Sequence, residues 1–296
     1  MSTAVPPSTR TPVRRQWTGS SGLPLVGDDW GGPGQPVLLL HGGGQTRHAW
    51  GGTAAALAAL GYRAIALDGR GHGESGWDPG GDYSLNAYVA DLRAVLATID
   101  GAPVLVGASL GGMTSLLAVG ESGAALATAL ILVDVAPRIE SSGTDRIKAF
   151  MTAYPDGFAS LDEAADAIAA YLPGRRRPRD TGGLAKNLRL GPDGRHRWHW
   201  DPAFITGGPE AEVRTDRAAR ATAGVRIPTL LVRGMLSDVV SPRGAAELLE
   251  LIPHARHVDV GGARHMVAGD RNDAFTAAII EFLGELGPTP LPRPAD

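Results

Sequence analysis

The chain has 296 residues, a formal net charge of −3 and a hydrophobic fraction of 43%, which suits one large domain or a core with an insertion. It has no cysteine, and that excludes disulfides, thiol catalysis and thiolate metal sites together. The slightly acidic balance leaves no basic footprint for nucleic acid.

Residues 1–18 carry Pro6, Pro7, Pro12 and the pair Arg14–Arg15 without an apolar core of signal-peptide length. No stretch approaches the roughly 20 apolar residues a membrane helix needs. The expectation is a cytoplasmic protein with no membrane partner, monomeric or a homodimer. Residues 1–18, or a lead into a first strand, and the Pro-rich 287–296 read as flexible tails.

From about Pro36 short apolar runs alternate with helical patterns. Val37–Leu40, Ala64–Leu67, Val104–Val106, Ile131–Val133 and Thr229–Val232 lack polar alternation, as strands buried on both faces do. Between them, Tyr88, Leu92, Val95 and Ile99 share one helical face, as do Phe275, Ile279, Phe282 and Leu286. The alternation predicts an α/β fold with a mostly parallel central sheet flanked by helices. Its reactive loops should lie beyond the carboxyl ends of the strands. The pattern breaks over residues 137–223, where helical spacing continues without a convincing strand. Ser160-Leu-Asp-Glu163 has the form of a capping box, with Leu161, Ala165, Ile168 and Leu172 on one face. The predicted organisation is a core of residues 19–136 and 224–286 with a helical cap over residues 137–223.

Gly107-Ala-Ser109-Leu-Gly111 follows a strand and precedes a helix-compatible run. That context fits a G-x-S-x-G nucleophile elbow, in which a tight turn lifts the serine hydroxyl above the sheet. A serine hydroxyl needs a base within hydrogen-bond reach. Of the eight histidines, His265 is the candidate, lying after a short strand and before the last amphipathic helix. His254 and His257 are better explained by capping or solvation. The base needs a carboxylate to fix its tautomer. Asp238, on the loop beyond Thr229–Val232, is the preferred acid, and Asp134, directly ending Leu130–Val133, is the alternative.

His41-Gly42-Gly43-Gly44 follows a strand and matches the HGGG-type motif that supplies an oxyanion amide. Gly43 is the first choice of donor and Gly44 the second, with the amide of Leu110 as the other. His41 itself reads as a structural histidine. Asp68-Gly-Arg-Gly-His-Gly-Glu-Ser75 reads as a bent loop whose side chains bond backbone, because it lacks the Gly-Lys-Ser/Thr of a phosphate loop. No His/Asp/Glu cluster has zinc-like spacing, so neither metal nor cofactor is expected. His196, Trp198, His199 and Trp200 are candidates for an aromatic substrate wall, with Gly44 beside them. The run Arg175–Arg177 reads as solvated surface.

Together, His41-Gly-Gly-Gly, Asp68-Gly-Arg-Gly-His-Gly-Glu-Ser, Gly107-Ala-Ser-Leu-Gly-Gly, Arg233-Gly…Ser-Asp238 and His265 resemble the α/β-hydrolase superfamily. The resemblance is specifically to its cap-bearing group related to epoxide hydrolases and haloalkane dehalogenases. Those relatives use an aspartate nucleophile at the elbow, where this chain has Ser109. A carboxylate can open an epoxide or displace halide to give a hydrolysable ester, whereas a serine alkyl ether would be a dead end. The resemblance therefore implies hydrolysis of a carboxylic ester or lactone through an acyl-enzyme, with a small-molecule substrate. Alternatives on the same residues are carbon–carbon bond hydrolysis and perhydrolase or haloperoxidase-like activity. A small-molecule receptor on a hydrolase scaffold is the non-enzymatic one.

Overall fold

Successive side chains of a strand face opposite sides, and here both sides are apolar. In β3 (Pro36–Leu40), Val37 and Leu39 enter one core cluster and Leu38 and Leu40 the other. β4 (Arg63–Leu67), β5 (Val104–Ala108) and β6 (Ala129–Val133) divide in the same way. A sheet of this kind requires helices on both faces. The computed structural model, which describes residues 10–123, 125–171, 177, 180–206, 211–265 and 272–287, has that arrangement.

Among the described residues the main sheet has eight strands. β1 (Val13–Thr18) and β2 (Pro24–Asp29) lead in antiparallel, followed by β4, β3, β5, β6, β9 (Thr229–Gly234) and β10 (Arg256–Val260), all parallel. One face is covered by α1 (Gly51–Ala59) and α9 (Asn272–Leu286) through Leu57, Phe275, Ile279 and Phe282. The other is covered by α2 (Leu85–Leu96), α3 (Leu110–Gly120) and α8 (Pro242–Leu251) through Leu92, Val95, Leu116 and Leu248. The expected α/β architecture is therefore present. Leu286, at the end of the predicted face of α9, is exposed.

Residues 13–18, expected as part of a tail or as a lead into a first strand, pair as β1 along β2. Arg14 meets Glu74, and Arg15 meets Asp29 at 2.9 Å. Charged side chains suit a sheet edge and conceal the strand from an apolar pattern. Residues 1–9, 288–296, Leu172, Arg175 and Arg176 lie outside the described residues. Arg177 is exposed and pairs with Asp162 and Asp166 at 2.8 and 2.6 Å.

Between β6 and β9 the chain forms α4 (Ser141–Thr152), α5 (Leu161–Tyr171), the hairpin of β7 (Leu188–Leu190) and β8 (His196–Trp198), the single turn α6 (Ala203–Thr206), and α7 (Ala211–Gly224). The stretch 137–223, expected to lack a strand, carries the β7–β8 hairpin. α7 packs on α3 and α8 of the core, because its small Ala218, Ala221 and Thr222 are buried there. At the crossing, a Cβ on Gly120 would collide with the carbonyl of Ala221. Gly120→Ala is therefore expected to cost about 1–3 kcal/mol by prising α3 from α7, read as a Tm lowered by several degrees. An unchanged Tm would contradict this close packing.

Among the described residues no helix is long and apolar enough to cross a membrane, and no group of three His, Cys, Asp or Glu is disposed to hold a metal ion.

Candidate active site

β5 ends at Ala108 and α3 starts at Leu110, so Ser109 alone carries the turn between them. Its φ of 46° and ψ of −112° are costly for a residue with a side chain, on the order of 1–3 kcal/mol. The turn closes only over glycine. A Cβ on Gly107 would stand 2.5 Å from the Gly111 carbonyl carbon, and one on Gly111 would stand 2.5 Å from the Leu40 oxygen. Around the serine, its own amide donates to Val133 O at 3.1 Å and the Gly111 amide to His41 O at 3.1 Å.

The loop after β10 brings His265 to the same edge. Its Nε2 lies 3.0 Å from Ser109 Oγ, and its Nδ1 lies 2.6 Å from Asp134 Oδ2. Asp134 is the first residue after β6 and is 1% exposed. Its φ of 50° turns the side chain back over the sheet edge. Oδ1 accepts from the Gly234 amide at 3.1 Å, and Oδ2 also accepts from Ser237 Oγ at 2.5 Å. A carboxylate at Nδ1 holds the ring proton there and leaves the Nε2 lone pair facing the serine.

The preferred acid of the sequence reading, Asp238, is not in this array. The loop after β9 presents Ser237 to Asp134, while the Asp238 carboxylate turns outward to Arg146 of α4 at 3.1 Å. The geometry thus unites Ser109 and His265 with the alternative acid, Asp134.

The loop 42–45 stands next to the serine: a Cβ on Gly42 would lie 3.3 Å from Ser109 Cβ. The Gly42 amide is taken by Gln45 Oε1 at 3.1 Å, and the Gly44 amide by His72 Nε2 at 3.1 Å. Gly44, the second-choice donor, is therefore occupied. No bond engages the Gly43 amide among the described residues, and the same holds for the amide of Leu110 at the start of α3.

Three buried imidazoles underlie this loop. His41 Nε2 accepts from the Gly69 amide at 2.9 Å, so its Nδ1–H donates to Gly42 O at 2.8 Å. His72 accepts at Nε2 and donates from Nδ1 to Arg70 O at 2.9 Å. His199 accepts at Nδ1 from the Gly73 amide at 2.8 Å and directs Nε2–H to Gly44 O at 3.3 Å. Burial pushes all three below the ordinary histidine value, His72 well below it and His199 down to about 3. Each is neutral, since each offers a lone pair to a backbone amide.

The Asp68 loop bonds backbone as predicted. Asp68 accepts from the Arg47 and Glu74 amides at 2.6 and 3.0 Å, and Ser75 Oγ bridges Asp68 O to the Val26 amide.

The aromatic wall is only partly as expected. His199 is 2% exposed and both its nitrogens are bound to backbone, so it does not line a pocket. His196 belongs to the β7–β8 hairpin and bridges to Phe158. Trp198 stacks on Trp200 with centroids 4.9 Å apart and also packs edge-on against Phe158. Trp200 reaches Gly44, with Cζ3 3.4 Å from where its Cβ would stand. The residues missed in the sequence are Phe204 and Met151, whose side-chain ends come 3.1 and 3.0 Å from the Cβ positions of Gly43 and Gly44. The Asp201-Pro pair that opens α6, capping the Ala203 amide at 2.9 Å, was the available signal for Phe204.

A serine on a strained strand-to-helix turn, met by an imidazole from the far side of the same parallel sheet, is the construction of α/β-fold hydrolases. The chain belongs to the alpha/beta hydrolase family, whose model matches residues 37–278, and it is a hydrolase. It is 32% identical to the esterase Rv0045c of Mycobacterium tuberculosis over 257 residues, 84% of this chain and 83% of that one. It is 31% identical to the non-heme chloroperoxidase CPO-A1 of Kitasatospora aureofaciens over 288 residues, 90% of this chain and 98% of that one. The crystal structure of E-2-(acetamidomethylene)succinate hydrolase matches with a TM-score of 0.80 at 25% identity, covering 93% of this chain and 100% of that one.

Proposed function

We propose that this hydrolase cleaves a carboxylic ester or lactone through a Ser109–His265–Asp134 triad. The observation that carries the proposal is the continuous pair of bonds from Ser109 Oγ to His265 at 3.0 Å and from His265 to Asp134 at 2.6 Å. Ser109 Oγ attacks the substrate carbonyl as His265 Nε2 takes its proton. The oxyanion receives the amides of Gly43 and Leu110, each worth about 3–4 kcal/mol in such a hole. The imidazolium, stabilised by Asp134, then protonates the departing alkoxide. This leaves an acyl-enzyme that water, deprotonated by His265, hydrolyses to the acid and free Ser109. The similarity to an esterase over most of the chain supports the ester assignment.

Within the family we place the chain among cap-bearing members that use serine, since Ser109 stands where the epoxide hydrolases and dehalogenases carry a carboxylate. The similarity to a non-heme chloroperoxidase favours a second reaction on the same acyl-enzyme: hydrogen peroxide replaces water and releases a peracid. Its substrate is a small molecule admitted beneath the cap.

The test is hydrolysis of p-nitrophenyl esters from acetate to octanoate by wild type and Ser109→Ala. Serine-dependent turnover is expected, falling by about 10⁴-fold or more in the variant. Equal turnover by both proteins would overturn the proposal.

A further inference from the structure

The oxyanion loop is held from two directions, and one of them is the cap. Gly44 has a φ of +74° and no side chain to fix it, so its backbone depends on bonds. Its amide goes to His72 Nε2 at 3.1 Å and its carbonyl to His199 Nε2–H at 3.3 Å. Gly42 and Gln45 close the other side, the Gln45 amide donating to Gly42 O at 3.1 Å. What remains between these fixed points is the unengaged amide of Gly43.

We propose that His199 is a positioning residue: carried by the cap, it clamps Gly44 against His72 and so sets the direction of the Gly43 amide toward the oxyanion. The role rests on the ester-hydrolase reading above. The ring can act as a clamp because its far nitrogen is fixed by the Gly73 amide at 2.8 Å. The Gly73 carbonyl is itself held by Arg189 at 2.6 Å. The cap has anchors beside His199: the Asp201 amide donates to Gly71 O at 2.8 Å, Tyr83 OH donates to the Asp201 carboxylate, and the Phe204 ring stands edge-on to His72 with centroids 4.6 Å apart. Losing one arm of His199 therefore leaves the cap seated while loosening the loop.

The two arms can be separated by isosteres. The amide oxygen of Asn reaches the position of Nδ1 and retains the Gly73 arm. The amide nitrogen of Gln reaches the position of Nε2 and retains the Gly44 arm. For His199→Asn, kcat for p-nitrophenyl acetate is expected to fall roughly ten- to hundredfold. KM should stay within about threefold, and NMR-detected exchange of the Gly44 amide should quicken roughly tenfold as its bond to His72 opens. His199→Gln is expected to recover kcat to within about threefold of wild type. An Asn variant with wild-type kcat and Gly44 exchange overturns the clamp, as does equal loss in both variants accompanied by a collapsed Tm. Wild type inert toward esters, with the exchange contrast intact, would count against the ester-hydrolase reading and leave the clamp standing.

Discussion

Asp134→Asn is expected to lower kcat by about 10⁴-fold, while Asp238→Asn leaves it within about threefold. An asparagine at 134 can present an amide N–H to Nδ1. The imidazole proton then moves to Nε2, where it removes the lone pair that Ser109 needs. The present carboxylate accepts three bonds: from Gly234, Ser237 and His265. It is also almost wholly buried, and among the described residues no other group bonds Nδ1. Asp238 faces Arg146 in a partly exposed pair, and such pairs contribute little. Steady-state kinetics of the two variants, with Tm as a control for folding, decides between them. A crippled Asp238→Asn and a mild Asp134→Asn would reverse the assignment.

The second large effect concerns acid stability. Desolvation lowers His41, His72 and His199; for His41 and His199 the nearby Asp68 acts in the opposite sense, while Arg47 beside His41 and Arg189 beside His199 reinforce the lowering. His48, beside Arg47, is shifted the same way. In the unfolded chain each histidine titrates near its ordinary value of about 6.5. Below that pH the unfolded state binds protons that the folded state refuses, so unfolding takes up protons and stability rises with pH. The stabilisation is complete above about 6.5 and is lost as pH falls toward the folded values. Each histidine contributes up to about 1.4 kcal/mol per pH unit in that window. The urea midpoint is therefore expected to fall steeply between pH 6.5 and 4.5, above the range where the lowered carboxylates Asp29 and Glu121 begin to protonate. A flat midpoint across that window would show that the three rings are not held neutral. The same protonation of His72 would remove the acceptor of the Gly44 amide.

The fold was largely legible because β3, β4, β5, β6 and β9 are uninterrupted apolar runs, a pattern that only a doubly covered sheet explains. β1 and β2 lack that pattern: Arg14, Arg15 and Gln16 are exposed at the edge, and β2 ends in Gly27-Asp28-Asp29. That Ser109 and His265 meet at one edge of the sheet was legible from motif and chain order. Which carboxylate bonds His265 was not, because position along a loop does not reveal which way a carboxylate turns. The positive φ of Asp134 sends its side chain inward, and Arg146, more than ninety residues earlier in the sequence, draws Asp238 away. Cap contacts were hidden for the same reason. The sequence shows that Trp198, His199 and Trp200 are neighbours, but not that the middle ring bonds Gly44 while Phe204 covers Gly43.

Activation of Ser109 is tested most directly by labelling the intact protein with a fluorophosphonate, followed by mass spectrometric location of the adduct. One adduct is expected, on Ser109, lost in Ser109→Ala and formed far more slowly in Asp134→Asn. Labelling elsewhere, or an unlabelled but fully folded wild type, would contradict an activated serine at this site.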